Sequence, residues 1–133
     1  MGRVKIFLAG FVFLLNLSPL LAQEDSKYYA VQFYADWCKY CKKLGPTFTE
    51  LLNNYSDEEI EYVRLDFTDK ETQEATKETI NTLGLEKITK DYVGTGFILV
   101  VERDSEGVSK VKDILDRKKD LDEMKKIVDE LVL

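Results

Sequence analysis

The chain has 133 residues, with 19 Lys and Arg against 25 Asp and Glu, no His and two Cys. That length suits one domain around a single core, and the inventory excludes Ser-His-Asp or Cys-His catalysis, a His-ligated metal and a framework of several disulfides. The formal net charge of −6 argues against nucleic acid, whose phosphates need a basic stripe. The basic runs Lys42-Lys43 and Arg117-Lys118-Lys119 are short and read as solvated faces.

Residues 1–22 have the three parts of a secretory signal peptide. Arg3 and Lys5 open it, an apolar run follows from Ile6 to Leu15, and Asn16 to Ala22 closes it, with cleavage expected after Ala22. The run is interrupted at Asn16, Ser18 and Pro19, which makes a permanent anchor of about 20 apolar residues the weaker alternative. Removing the leader leaves a domain over residues 23–133 with 17 basic and 25 acidic side chains, a net charge of −8. A periplasmic or secreted protein is expected, in a compartment where disulfide exchange is ordinary chemistry.

Tyr28 to Ala35 is aromatic, β-branched and almost wholly apolar, as in a strand buried on both faces. From Cys38 to about Tyr55 the spacing of Cys41, Leu44, Phe48, Leu51, Leu52 and Tyr55 predicts a helix, kinked near its first turns by Pro46. Ile60 to Phe67 predicts a second strand, and Asp69 to Leu83 a largely polar helix ended by Gly84. Leu85 to Val93 reads equally as a short helix or a loop. Phe97 to Val101 is the most strand-like run, and the turn Asp104 to Gly107 leads to a partner strand from Val108 to Ile114. Asp120 and Glu123 form a capping-box pair, and Leu121, Met124, Ile127, Val128, Leu131 and Val132 share one face of the closing helix. The order of elements predicts an α/β fold, a central mixed β-sheet flanked by α-helices.

The two cysteines, Cys38 and Cys41, stand at the junction of the first strand and the first helix. A thiolate is the attacking species in disulfide exchange, and a helix N-terminus favours it through free N–H groups and partial positive charge. Cys38 is therefore the expected nucleophile. Cys41, one helical turn later, is the expected resolving thiol, and the pair is the expected redox-active disulfide. Lys39, Lys42 and Lys43 should favour the thiolate, while Trp37 and Tyr40 offer an apolar platform beside it. A zinc site would need about four ligands, twice what two cysteines supply, so no metal and no cofactor are expected. An inert disulfide is the stronger alternative, although so short a loop stabilises little by chain entropy.

Phe33 to Pro46 resembles the active-site segment of the thioredoxin family: Trp37, Cys38, Cys41, Lys42 and Pro46 match its Trp-Cys-x-x-Cys-Lys motif and the proline five residues beyond. More weakly, the order of elements extends the resemblance over about residues 26 to 133. The resemblance implies a thioredoxin-like fold and dithiol–disulfide exchange with protein thiols or disulfides, supplied by a further electron-transfer partner. Three departures stand out. The family's buried acid, which moves protons for the second cysteine, is replaced by Gln32, and Gln cannot act as a base. Arg64 aligns beside it and could offset part of the loss electrostatically. Where the family has a cis-proline opposite the cysteines, the segment Gly94-Thr95-Gly96 places Gly96. A trans peptide is expected there, with glycine letting the backbone approach the cysteines, or else Gly96 makes only a bulge.

These readings favour an exported monomer that exchanges disulfides as a reductant, with no nucleic-acid partner and no stable membrane insertion. The alternative is a thioredoxin-fold binding or chaperone-like module with little redox turnover.

Overall fold

The computed structural model describes residues 27–107 and 109–133. The leader read at 1–22 lies outside the described residues, as does Val108. The elements in chain order are β1 (Lys27–Tyr34), α1 (Lys39–Leu52), β2 (Ile60–Asp66), α2 (Lys70–Leu83), α3 (Glu86–Asp91), β3 (Phe97–Arg103), β4 (Ser109–Leu115) and α4 (Leu121–Val132). They form a four-stranded sheet in the order β2-β1-β3-β4. β2 runs parallel to β1, while β3 is antiparallel to both β1 and β4. The sheet is thus mixed, as the order of elements predicts.

Alternation along β1 divides the core between two faces. Ala30 joins Leu44, Phe48 and Leu51 of α1 and Met124 and Val128 of α4 on one side. Tyr29, Val31 and Phe33 join Leu85 and Ile88 of the α3 region on the other. Val31, Phe33, Leu99 and Val101 are almost completely buried, which explains why β1 and β3 read as continuous apolar runs. Among the described residues no helix is long and apolar enough to cross a membrane.

Most element boundaries lie within one or two residues of expectation. α1 is the exception, ending at Leu52 although its apolar spacing continues to Tyr55. Asn54 accounts for the early stop: its side-chain amide donates to the Glu50 and Leu51 carbonyls at 2.7 and 3.4 Å, a local alternative to the next helical bond. Tyr55 still reaches the core side, where its hydroxyl donates to Asp129 at 2.7 Å and ties the end of α1 to α4. Burial, and then that carboxylate, push its phenol well above the usual range. Pro46 lies within α1 without ending it, its ring on the exposed side. α2 begins at a capping box between Asp69 and Thr72 and stops at Gly84, which takes φ 68°. The ambiguous segment after it contains the six-residue helix α3.

Candidate active site

The central strand β1 delivers the chain to the cysteines, and its end is shaped by a turn in which the Cys38 amide donates to the Ala35 carbonyl at 3.0 Å. Cys38 is the N-cap of α1 in extended geometry (φ −77°, ψ 109°), and its Sγ accepts the Cys41 backbone N–H at 3.2 Å. A cysteine sulfur therefore occupies the place usually held by a capping oxygen, where the first helical N–H groups point. Cys38 and Cys41 form a disulfide with their Cα atoms 5.2 Å apart, and both are buried. Cys41 Sγ lies 3.7 Å from the Phe33 carbonyl oxygen, on the inner side of the pair.

Exposed aromatic residues flank the disulfide. Trp37 is 66% exposed, yet its indole N–H donates to the Thr68 carbonyl at 3.1 Å, while Thr68 Oγ1 accepts the Asp36 N–H at 2.9 Å. The β2–α2 loop thus fixes the residue before the nucleophile position. Thr68 Oγ1 in turn donates to Asp66, and Tyr34 donates to Asp36, the bond that chiefly raises the Tyr34 phenol above its ordinary value. Tyr40, between the two cysteines, is 44% exposed. Lys39 and Lys42 are also exposed, and so is Lys43.

Facing the cysteines is the loop Gly94-Thr95-Gly96. No described peptide bond is cis, so the Thr95–Gly96 bond is trans, and Gly96 takes φ 93°. Its N–H donates to the Phe33 carbonyl at 2.9 Å, the same oxygen that lies beside Cys41 Sγ. A Cβ at Gly96 would sit 3.0 Å from Tyr40 Cβ and 3.4 Å from Cys38 Sγ. The glycine therefore serves close backbone approach. The irregular register of the sheet falls elsewhere, between Val100 and Val101. Thr95 lines both clefts beside the loop. One is an apolar hollow of about 240 Å³ near Trp37, Phe67 and Val93, and the other is a cleft of about 460 Å³ near Tyr40 and Arg117.

Gln32 is 4% exposed and pairs across the parallel ladder with Arg64. Its carbonyl accepts the hydroxyl of Tyr62, which accepts Arg64 Nε–H at 3.0 Å, and the Arg64 guanidinium stacks on Tyr34 at 3.9 Å. Arg64 is thus engaged with Tyr62 and Tyr34. The sequence reading missed Tyr62, although its two-residue spacing from Arg64 on β2 puts both on one face. Gln32 and Gly45, the latter one turn beyond Cys41, line a common cavity of about 510 Å³. Placing a base there is a direct test of what the amide omits: Gln32→Glu should speed resolution of a mixed disulfide about tenfold or more, with a further inflection in the pH profile set by the new carboxylate. The partly compensated buried charge should cost roughly 1–3 kcal/mol. Single-turnover kinetics at several pH values provide the check, and an unaltered rate would remove Gln32 from the proton path.

Among the described residues no group of three or more His, Cys, Asp or Glu could hold a metal ion. The arrangement is equipped instead for two-electron exchange between a dithiol and a disulfide.

The chain is 39% identical over 54 residues to a protein disulfide-isomerase of Drosophila melanogaster, covering 40% of this chain and 11% of that protein. It is 40% identical over 42 residues to Thioredoxin-T of the same organism, covering 32% of this chain and 27% of that one. The chain thus spans about a tenth to a quarter of the length of these relatives. Among solved structures, MTB dsbF in mixed oxidised and reduced forms superposes with a TM-score of 0.49 at 17% identity, over 79% of this chain and 81% of that one. The thioredoxin family model matches residues 17–95, more than half of the sequence. With the C-x-x-C disulfide at the strand-to-helix junction and a mixed sheet flanked by helices, the chain belongs to the thioredoxin family.

Proposed function

We propose that this chain is an exported thiol–disulfide oxidoreductase that reduces disulfides in protein partners. The observation that carries the proposal is the Cys38–Cys41 disulfide with Cys38 Sγ at the N-cap of α1, accepting a helical N–H. In the reduced chain the same N–H would stabilise a Cys38 thiolate. That thiolate attacks one sulfur of the partner disulfide. The partner's S–S bond breaks, a mixed disulfide forms, and the departing sulfur leaves as a thiolate that takes a proton from water. Cys41 then loses its proton and attacks Cys38 Sγ, breaking the mixed disulfide and releasing the second partner thiol. Two electrons pass to the partner, the Cys38–Cys41 bond is restored, and an external dithiol must reduce it again. Lys39, Lys42 and Lys43 add positive charge on the exposed side. Trp37 and Tyr40 provide apolar surface for the partner chain.

The direction of flow rests on the residues between the cysteines. Lys39 and Tyr40 include no histidine to give the extreme thiolate stability of a strong oxidant. Equilibration with glutathione should therefore give a Cys38/Cys41 potential nearer the roughly −270 mV of reducing thioredoxins than the roughly −120 mV of a strong oxidant. A value near −120 mV overturns the reductant reading. Export is supported by the tripartite leader, and an intact mass beginning at Gln23 is the expected result. A mass that retains residues 1–22 would instead support a tether. A second reading, a binding module with little turnover, is favoured by Gln32 and Gly96 standing where the family has an acid and a proline.

A further inference from the structure

We infer that the cleft beside Tyr40 selects partners whose reactive cysteine is flanked by acidic residues. This rests on the exchange reading above and adds a substrate class to it. Tyr40 is the residue between the cysteines nearest the facing loop, since its Cβ is the closest atom to the place a Gly96 side chain would occupy. The Arg117 guanidinium lies 4.1 Å from the Tyr40 ring centroid, so the segment after β4 is drawn onto the active-site helix. Such a stack uses the face of the guanidinium and leaves its N–H edge available to a carboxylate.

The charge balance of the cleft gives that edge a purpose. Arg117 and Lys118 are both exposed. Among the described residues the ion pairs are Lys27–Glu61 and Lys119–Asp113, so neither Arg117 nor Lys118 forms a direct ion pair with a described carboxylate. Asp116, the acid between β4 and Arg117, has its carboxylate turned to the Lys118 backbone N–H at 2.9 Å. Across the cleft, Asp91 is the one opposing acid in its lining whose carboxylate is not used in such a turn. The cleft lining thus carries two cations, Arg117 and Lys118, and two acids, Asp91 and Asp116, with Arg117 the charge seated on Tyr40 between the cysteines, whereas the hollow beside Trp37 is lined by no charged residue. A partner lying across the cysteines would place one side of its chain against apolar surface and the other against Arg117 and Lys118. Acidic residues on that second side are attracted, and basic ones repelled.

The test compares three synthetic peptide disulfides of one scaffold, differing only in whether the residues flanking cysteine are Asp, Ser or Lys. With the full chain in its reduced form, the second-order rate should rise about three- to tenfold from Ser to Asp and fall for Lys, and the spread should collapse in about 0.5 M salt. The double variant Arg117→Gln, Lys118→Gln should lose the Asp-to-Ser ratio, each protein serving as its own reference, and Asp91→Asn should widen it. A native chain that shows no preference, or a double variant that keeps it, overturns the inference. A chain that reduces none of the peptides nor a small neutral disulfide overturns the exchange reading itself, whereas equal reduction of all three peptides overturns only the selectivity.

Discussion

Replacing Cys41 with serine should convert the chain from a catalyst into a trap. Cys38 keeps its place at the helix N-cap and can still open a partner disulfide, but the mixed disulfide then has no internal thiol to break it. An internal thiol one turn away acts at an effective concentration far above that of any solution thiol, so turnover should fall at least about a thousandfold. Covalent adducts should accumulate, visible as bands that disappear on addition of a strong reductant. Cys38→Ser should give neither turnover nor adducts. The two variants together separate the exchanger from the binding module, because a module that does not use its thiols forms no adducts with either. Adducts carried by Cys41 in the Cys38→Ser chain would reverse the assigned roles.

The second large effect is expected at Gly96. Two costs combine there in Gly96→Ala: a positive φ that a side chain rarely adopts, and a Cβ that would press on Tyr40 and the Cys38 sulfur. The backbone strain alone is worth about 1–3 kcal/mol, read as a lowered urea midpoint. Relieving the contact requires the loop to retreat from the disulfide, and a misplacement of about 1 Å at a reacting centre can slow chemistry by about a hundredfold. Gly94→Ala is the control. Its φ of 113° carries a comparable backbone cost, but a Cβ there would meet only Phe97 Cε1 at 4.0 Å. Both variants should lose stability, and only Gly96→Ala should lose exchange rate. Equal slowing in both would show that the close approach to sulfur has no special role.

The parts of this architecture that were legible in the sequence are those decided by neighbours along the chain. The apolar run at Phe97 to Val101, the capping pair Asp120 and Glu123, and the stop at Gly84 all depend on residues within a few positions of each other, and each appears as read. The cysteine pair at a strand-to-helix junction is legible for the same reason. Details that depend on pairing across space were not. Tyr62 meets Gln32 because β1 and β2 align in one particular register, which no local pattern specifies. Arg117 read as part of a solvated run, and it is exposed, but the end of β4 carries it onto Tyr40. α3 has six residues, too few for a helical period to declare itself. The early end of α1 turned on the competition of Asn54 for backbone carbonyls, a contest that apolar spacing does not register.

The strand order has a consequence for how the molecule comes apart. β1 is hydrogen-bonded on both sides and supplies the carbonyl next to the Cys41 sulfur, whereas β4 forms an edge and leads directly to Arg117. Amide exchange in such sheets is slowest in interior strands and faster at edges, where local opening exposes less surface. The sulfur chemistry therefore hangs on an interior strand, expected to exchange slowly, and Arg117 on the end of an edge strand, expected to exchange sooner. A partner of awkward shape could displace Arg117 without loosening the cysteines.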